Sequence, residues 1–163
     1  PMIAAHPTAR FLELGRSCVL KAYRDKRTVE LLWHGIWAYV RRNRIDIMFG
    51  CASLYGIDPD ALALPLSFLH HTASAEGALA AKPVTGRAID MNRMDTQSID
   101  ERKALHALPP LIKGYLRLGA RFGHGAVIDR QFGTTDVLVV LPVSAINPRY
   151  IDYYGEEATR YAA

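Results

Sequence analysis

The stretch "IDIMFGCASL", Ile45 to Leu54, is apolar at almost every position. A strand with one wet face alternates between apolar and polar residues. An unbroken apolar run belongs to a strand covered on both faces. This segment therefore puts a sheet inside the molecule, with layers on each side. What precedes it is nearly as well determined. From Thr28 onward, Val29, Leu32, Trp33, Ile36, Trp37 and Val40 recur at the spacing of an amphipathic helix, with Glu30, His34, Arg41 and Arg42 on the other face. Asp25 or Thr28 can cap its start, and Arg41, Arg42 and Arg44 suit the negative end of its dipole. Ahead of the helix, "FLELGRSCVL" belongs to a strand from about Arg10 to Leu20. Strand, helix and strand in this order predict a parallel pair joined by a right-handed crossover.

The rest of the chain extends this pattern. Asp58-Pro59 signals a helix start, and Pro65 is expected to bend or interrupt that helix. Residues 73–104 are rich in Ala, Gly and polar residues and have no long apolar period. They read as a long mobile excursion, with a short helix near Ser98 to Leu108. A third helix begins at Pro109-Pro110 and ends before Gly123. The strands "GAVIDRQFG" and "TDVLVVLPV" follow as an antiparallel pair. The first six residues and the polar, Tyr-rich tail from Ser144 suggest no element, and there are no repeats. The predicted class is α/β (α+β), a single domain over 1–163 built on a mixed sheet.

Composition agrees. Half of the 163 residues are hydrophobic, which excludes a disordered chain. No run approaches the ~18 apolar residues of a membrane span. Cys18 and Cys51 both sit in apolar runs, so a disulfide framework is not expected, and a reducing cytoplasm is the default setting. No signal peptide is visible at the start. Residue 1 is Pro and not Met, so the chain reads as a fragment or a processed product.

Two charges stand out inside the first strand, Glu13 and Arg16. Residues three apart in a regular strand point to opposite faces. Gly15 lies between them and marks a bulge that would bring both to one face. A carboxylate beside a guanidinium is held ionised, and the pair can orient an amine or a water. A structural ion pair at a strand edge is the equally weighted alternative. The connector "KAYRDKR" then feeds a helix start, where free N–H groups, the dipole and the side chains of Arg24, Lys26 and Arg27 suit a phosphate. Lys21, Arg24, Lys26, Arg27, Arg41, Arg42 and Arg44, against Asp25 and Glu30, make a surface that steers an acidic partner. Trp33 and Trp37 fall on the apolar helix face, so no stacking platform for nucleic acid is expected. His70-His71 has no Cys or carboxylate at ligand spacing, so no metal site is expected. Those histidines read as a cap or loop anchor, with a general-base role left open. Cys51 and Ser53 lack a neighbouring His and Asp in sequence, which makes a weak case for a nucleophile. Asp129, Arg130 and Asp136 in the last hairpin need partners, either Arg16 or one another.

The segments "RFLELGRSCVL", "YRDKRTVELLWHGIWAYV", "RIDIMFGCASL", "LSFLHH" and "LPPLIKGYLRLGARFGHGAVIDRQFGTTDVLVVLP" resemble the bacterial ornithine N-acyltransferase family. Its members are often labelled hemolysin-like, and they belong to the GNAT superfamily. The resemblance covers nearly all of residues 9 to 142. It implies transfer of a 3-hydroxyacyl chain from acyl carrier protein to the α-amine of ornithine, giving lyso-ornithine lipid. Glu13-Leu14-Gly15-Arg16 is similar to the Glu-x-x-Arg of the related acyl-homoserine-lactone synthases. That likeness implies that Glu13 helps deprotonate the amine, through water, while Arg16 shapes the site. It also implies that "FLELGRSCVL" and "IDIMFGCASL" are the two splayed strands that take the acyl-phosphopantetheine arm. Phosphate would then be received at Arg24, Lys26, Arg27 and Thr28. The Gly-rich phosphate loop usual in GNAT enzymes is replaced by "YRDKRT", which suits a carrier protein better than coenzyme A.

The elements that precede such a strand pair in GNAT domains are missing, so the chain looks like the C-terminal half of the acyltransferase fold. A cytoplasmic location is expected, with inner-membrane contact and self-association left open. Three alternatives stand beside this reading. They are a membrane-active, hemolysin-like module, a carrier-protein-binding module without catalysis, and acylation of a different amine.

Overall fold

The computed structural model describes residues 2–15, 19–147 and 150–151. Within them one mixed sheet runs in the order β1–β2–β4–β3. Its strands are β1 (Phe11–Glu13), β2 (Ile47–Tyr55), β3 (Arg121–Asp129) and β4 (Thr134–Pro142). β1 and β2 are parallel, with Phe11, Leu12 and Glu13 opposite Ile47, Met48 and Phe49. The other pairings are antiparallel. The crossover helix is α2, Lys26–Asn43. Asp25 caps it by accepting from the Thr28 N–H at 2.7 Å, and it ends at Arg44 in a left-handed conformation.

The helix is rolled relative to the arc its spacing predicts. Trp37, Val40 and His34 are buried, whereas Leu32 is 45% exposed. The sheet covers only part of the circumference, and that part is centred between His34 and Trp37.

The sheet is covered unequally. Its main core face holds Met48, Ala52 and Leu54 of β2 and Val137, Val139 and Leu141 of β4. Four helices lie against it: α2, α3 (Ala63–Ala73), α4 (Glu101–Ala107) and α5 (Pro110–Leu118). On the opposite face a smaller cluster joins Ile47 and Val140 to Phe11, Phe49 and Leu138, under Met2 of the short helix α1 (Met2–Ala5) and Leu79. That cover stops halfway. Cys51, Ser53 and Tyr55 point out into solvent. The "IDIMFGCASL" run is thus doubly covered only in its first half.

β1 is much shorter than the strand expected from Arg10 to Leu20. Its last link to β2 is the Leu14 N–H donated to the Phe49 carbonyl at 2.7 Å. Beyond it the Leu14 carbonyl drops over Gly50, to 2.6 Å from where a Cβ would sit. The backbone crosses over β2 there and no longer pairs alongside it. Lys21–Tyr23 is already a 3-10 turn. Arg16 and Cys18 lie outside the described residues, so the face Arg16 occupies stays an expectation. The irregular strand is β3, whose register shifts between Phe122 and Ala126.

Other boundaries differ for local reasons. Pro65 falls in the first turn of α3, where a missing N–H costs nothing, so it neither bends nor breaks the helix. α5 ends at Leu118, short of the Phe122 end expected, because Gly119 takes φ 93°, and a Cβ there would stand 2.8 Å from the Ala145 carbonyl oxygen. Residues 73–104 pack along the outer edge of β3. Ile89 and Ala126 exchange backbone hydrogen bonds, and the His124 N–H donates to Ala81. Met91 is fully buried there, and its carbonyl accepts from the Ser67 hydroxyl. His71 holds the same passage, with Nε2 3.0 Å from the Met94 carbonyl and Nδ1 3.2 Å from the Thr96 hydroxyl. This is the loop-anchoring role. The hairpin turn between β3 and β4 is closed by Asp129, which accepts from the N–H groups of Gln131 and Phe132.

Candidate active site at the end of the first strand

Glu13 is the last paired residue of β1, and its side chain is exposed. Opposite residues in the ladder share a face, so Glu13 lies on the side of Phe49, Cys51 and Ser53. Asp136 of β4 stands opposite Ser53 on the same side. The Glu13 carboxylate folds back over Gly15, with Oε1 3.3 Å from the position a Cβ would take there. Among the described residues the ion pairs are Arg93–Asp60 and Lys103–Asp100, and neither uses Glu13.

Cys51 stands between two negative charges. Desolvation pushes its thiol pKa up, and the carboxylates of Asp136 and Glu13 add to the shift. The sulfur therefore stays protonated at neutral pH, which is the wrong state for a nucleophile. Asp136 Oδ1 accepts from the Thr134 hydroxyl at 3.0 Å, so it serves its own strand.

The cationic candidates lie at the start of α2. Arg24 and Arg27 are exposed there, and Lys26 is the first residue of α2. Arg24 gives its Nε–H to the Val19 carbonyl at 2.9 Å, which steadies the side chain. The Thr28 N–H is already given to Asp25, whose carboxyl is held below the usual range chiefly by that bond. Any anion at this helix start therefore meets one occupied N–H and a carboxylate. The guanidinium groups of Arg24 and Arg27 carry most of the attraction.

On the core face, behind Glu13, lies a small, partly open apolar hollow lined by Leu14, Met48, Phe49, Gly50, Tyr115, Val139 and Leu141. Trp33 meets Tyr115 edge to face at its margin, with ring centroids 6.0 Å apart. Burial pushes the Tyr115 phenol up, so it stays protonated. Sequence reasoning missed this hollow. Leu14, Gly50 and Tyr115 come from three distant segments, and no local pattern links them. Among the described residues no group of three or more His, Cys, Asp or Glu is set to hold a metal. No helix there is long and apolar enough to cross a membrane.

Residues 2–34, which contain Glu13 and the cationic helix start, match the acetyltransferase (GNAT) domain family. Across its whole length the chain is similar to curated proteins named L-ornithine N(alpha)-acyltransferase. It is 58% identical to that of Agrobacterium fabrum (strain C58 / ATCC 33970), over 98% of this chain and 54% of that protein. The chain belongs to this family. It is also 54% identical to the protein of that name from Rhizobium meliloti (strain 1021), over 99% of this chain and 55% of the relative. For the Brucella abortus (strain 2308) relative the identity is 55%, over 96% of this chain and 56% of that protein. The chain thus spans about half the length of the curated relatives it matches. No solved structure matches it. The mixed α/β architecture fits the GNAT-like fold that the family implies.

Proposed function

We propose that this chain carries the reacting centre of an N-acyltransferase. The enzyme moves a 3-hydroxyacyl chain from the phosphopantetheine thioester of acyl carrier protein to the α-amine of ornithine, and the product is a lyso-ornithine lipid. The observation that supports the reading most is the position of Glu13. It is an exposed carboxylate at the point where β1 leaves β2, in a chain 58% identical to a protein named for this acylation. In the reaction Glu13 takes a proton from the acceptor ammonium, directly or through one water. The neutral nitrogen attacks the thioester carbonyl and the C–N bond forms. Collapse breaks the C–S bond, and the leaving thiolate takes up a proton. No covalent enzyme intermediate is needed, in keeping with the protonated thiol of Cys51. The Leu14 N–H is already given to Phe49. The amide that polarises the thioester carbonyl therefore comes from another residue, and Arg16 shapes the amine side.

Arg24, Lys26 and Arg27 receive the acidic carrier protein and the phosphate of its arm, with Thr28 at the same helix turn. Reversing charge in the double variant Arg24→Glu/Arg27→Glu weakens carrier-protein binding at least tenfold at low salt. The difference narrows as ionic strength rises. Titration of acyl carrier protein at two salt concentrations measures this. Equal affinities at low salt would remove these residues from the docking surface.

Leu20, Tyr23, Leu31, Leu32 and Tyr39 are exposed on the same stretch as these cations. That combination favours peripheral contact with an anionic membrane, where a lyso-lipid product leaves. Co-sedimentation with vesicles containing phosphatidylglycerol tests it. The expected result is binding that Leu31→Glu/Leu32→Glu abolishes, and binding that ignores those substitutions rejects the contact.

A further inference from the structure

The sheet face opposite the main core is open over half its length, and that half carries a second carboxylate. Opposite residues in the ladder share a face, so Glu13, Cys51 and Ser53 lie on it together with Asp136 of β4. Cys51 and Ser53 are exposed, and Asp136 is half-buried. Phe49 is the partner of Glu13, and Ser53, four residues further along β2, is the partner of Asp136. Strand rise and the spacing of neighbouring strands set the Cα atoms of Glu13 and Asp136 ~16 Å apart. Cys51 lies between them, and the charges of both carboxylates reach it.

Only one oxygen of Asp136 is engaged within the strand. Oδ1 accepts from the Thr134 hydroxyl, which fixes the direction of the group. No hydrogen bond reaches Oδ2 among the described residues, and neither of the ion pairs there uses Asp136. Arg121 of β3 is turned elsewhere, with Nη1–H given to the Thr72 carbonyl at 3.4 Å. Aspartate is a poor strand former, and a half-buried carboxylate without a cation loses hydration that nothing offsets. Valine or threonine would suit the position better as a strand residue. An ammonium group brought from outside supplies what the strand lacks, a charge-assisted hydrogen bond to the open oxygen.

We propose that Asp136 holds the side-chain ammonium of the amino-acid acceptor and so presents its α-amine to Glu13. The acceptor is thus a diamino acid, with one nitrogen at each carboxylate. The span between the two strands is filled by the acidic side chains, a hydrogen bond of ~2.9 Å at each end and the methylene chain of ornithine. An amino acid of the same skeleton without the second amine loses one of its two anchors. Asp136 touches the acceptor away from the reacting atoms, so it is a specificity-determining residue. The inference rests on the acyl-transfer reading and adds which residue selects the acceptor and which of its two amines reacts.

The test is a ligand-observed NMR titration of the full-length enzyme with ornithine and with norvaline, which has the same carbon skeleton and no side-chain amine. Ornithine is expected to bind about ten- to a hundredfold more tightly, the size of one hydrogen bond to a charged group. In Asp136→Asn ornithine falls to the affinity of norvaline, whereas norvaline binds as it does to the parent. A purely structural role would lower both together. Asp136→Thr, which suits a strand, gives the same result and serves if the asparagine variant does not fold. Equal binding of the two amino acids by the unaltered enzyme, binding of neither, a preference that survives the substitutions, or a parallel loss of both overturns the role of Asp136. Acyl transfer is assayed separately with charged carrier protein. Equal transfer to ornithine and norvaline would reject this site and leave the reaction standing. Ornithine bound through Asp136 without transfer would reject the reaction and leave this site standing.

Discussion

Replacing Glu13 by glutamine lowers acyl transfer to ornithine by roughly 10²- to 10⁴-fold, the usual contribution of a positioned general base. The loss is expected to fall on turnover and not on stability. Glu13 is exposed at a strand end, and no ion pair among the described residues uses it. The thermal midpoint of Glu13→Gln therefore stays within about 2 °C of the parent, as for a surface change without partners. A second signature separates a base from a mere binding group. Raising the pH toward the pKa of the acceptor amine supplies neutral nucleophile from solution and restores part of the rate. The assay uses the full-length enzyme, acyl carrier protein charged with a 3-hydroxyacyl chain, and ornithine. Parent-level turnover in the variant would remove Glu13 from the mechanism.

Gly50→Ala has the largest expected effect on the architecture of the site. A Cβ at residue 50 would stand 2.6 Å from the Leu14 carbonyl oxygen, and the obstacle is backbone, which cannot rotate away. Overpacking of this kind costs typically ~1–3 kcal/mol. Here the displaced segment is the end of β1, so the strain moves Leu14, the mouth of the hollow and Glu13 together. Urea unfolding is expected to show a lower midpoint with an unchanged slope, and turnover falls at least tenfold. Gly35→Ala is the control. A Cβ there meets nothing within 4 Å, and alanine is the better helix former. A Gly50→Ala protein with parent stability and turnover would show that β1 does not depend on this close approach.

The parallel strand pair, its crossover helix and the closing hairpin were legible because each rests on local periodicity or turn chemistry. The length of β1 was not. Phe11 to Leu20 has a strand's composition, but pairing ends where Leu14 meets Gly50, a residue far along the chain. The bulge expected at Gly15 lies past the last paired residue of β1, and its effect on Arg16 falls outside the described residues; in the described sheet the register shifts between Phe122 and Ala126. His34 looked polar-facing because spacing alone cannot say how far a helix is rolled on its sheet. Residues 73–104 lack an apolar period because they bury single residues, such as Met91, and bond edge-on to β3. Sequence singled out Glu13, Arg24 and Arg27 as candidates by residue type and spacing, but it could not reach the apolar hollow, whose lining comes from four separate segments.

The packing of residues 73–104 along β3 makes the sheet a one-ended object. One margin is sheathed by its own chain, whereas no described strand pairs with the outer side of β1. Among the described residues, β1 is the margin whose outer side is open to a further strand. Glu13 sits on that margin. A strand added beside β1 would stand next to the carboxylate, so pairing there would also change the surroundings of Glu13.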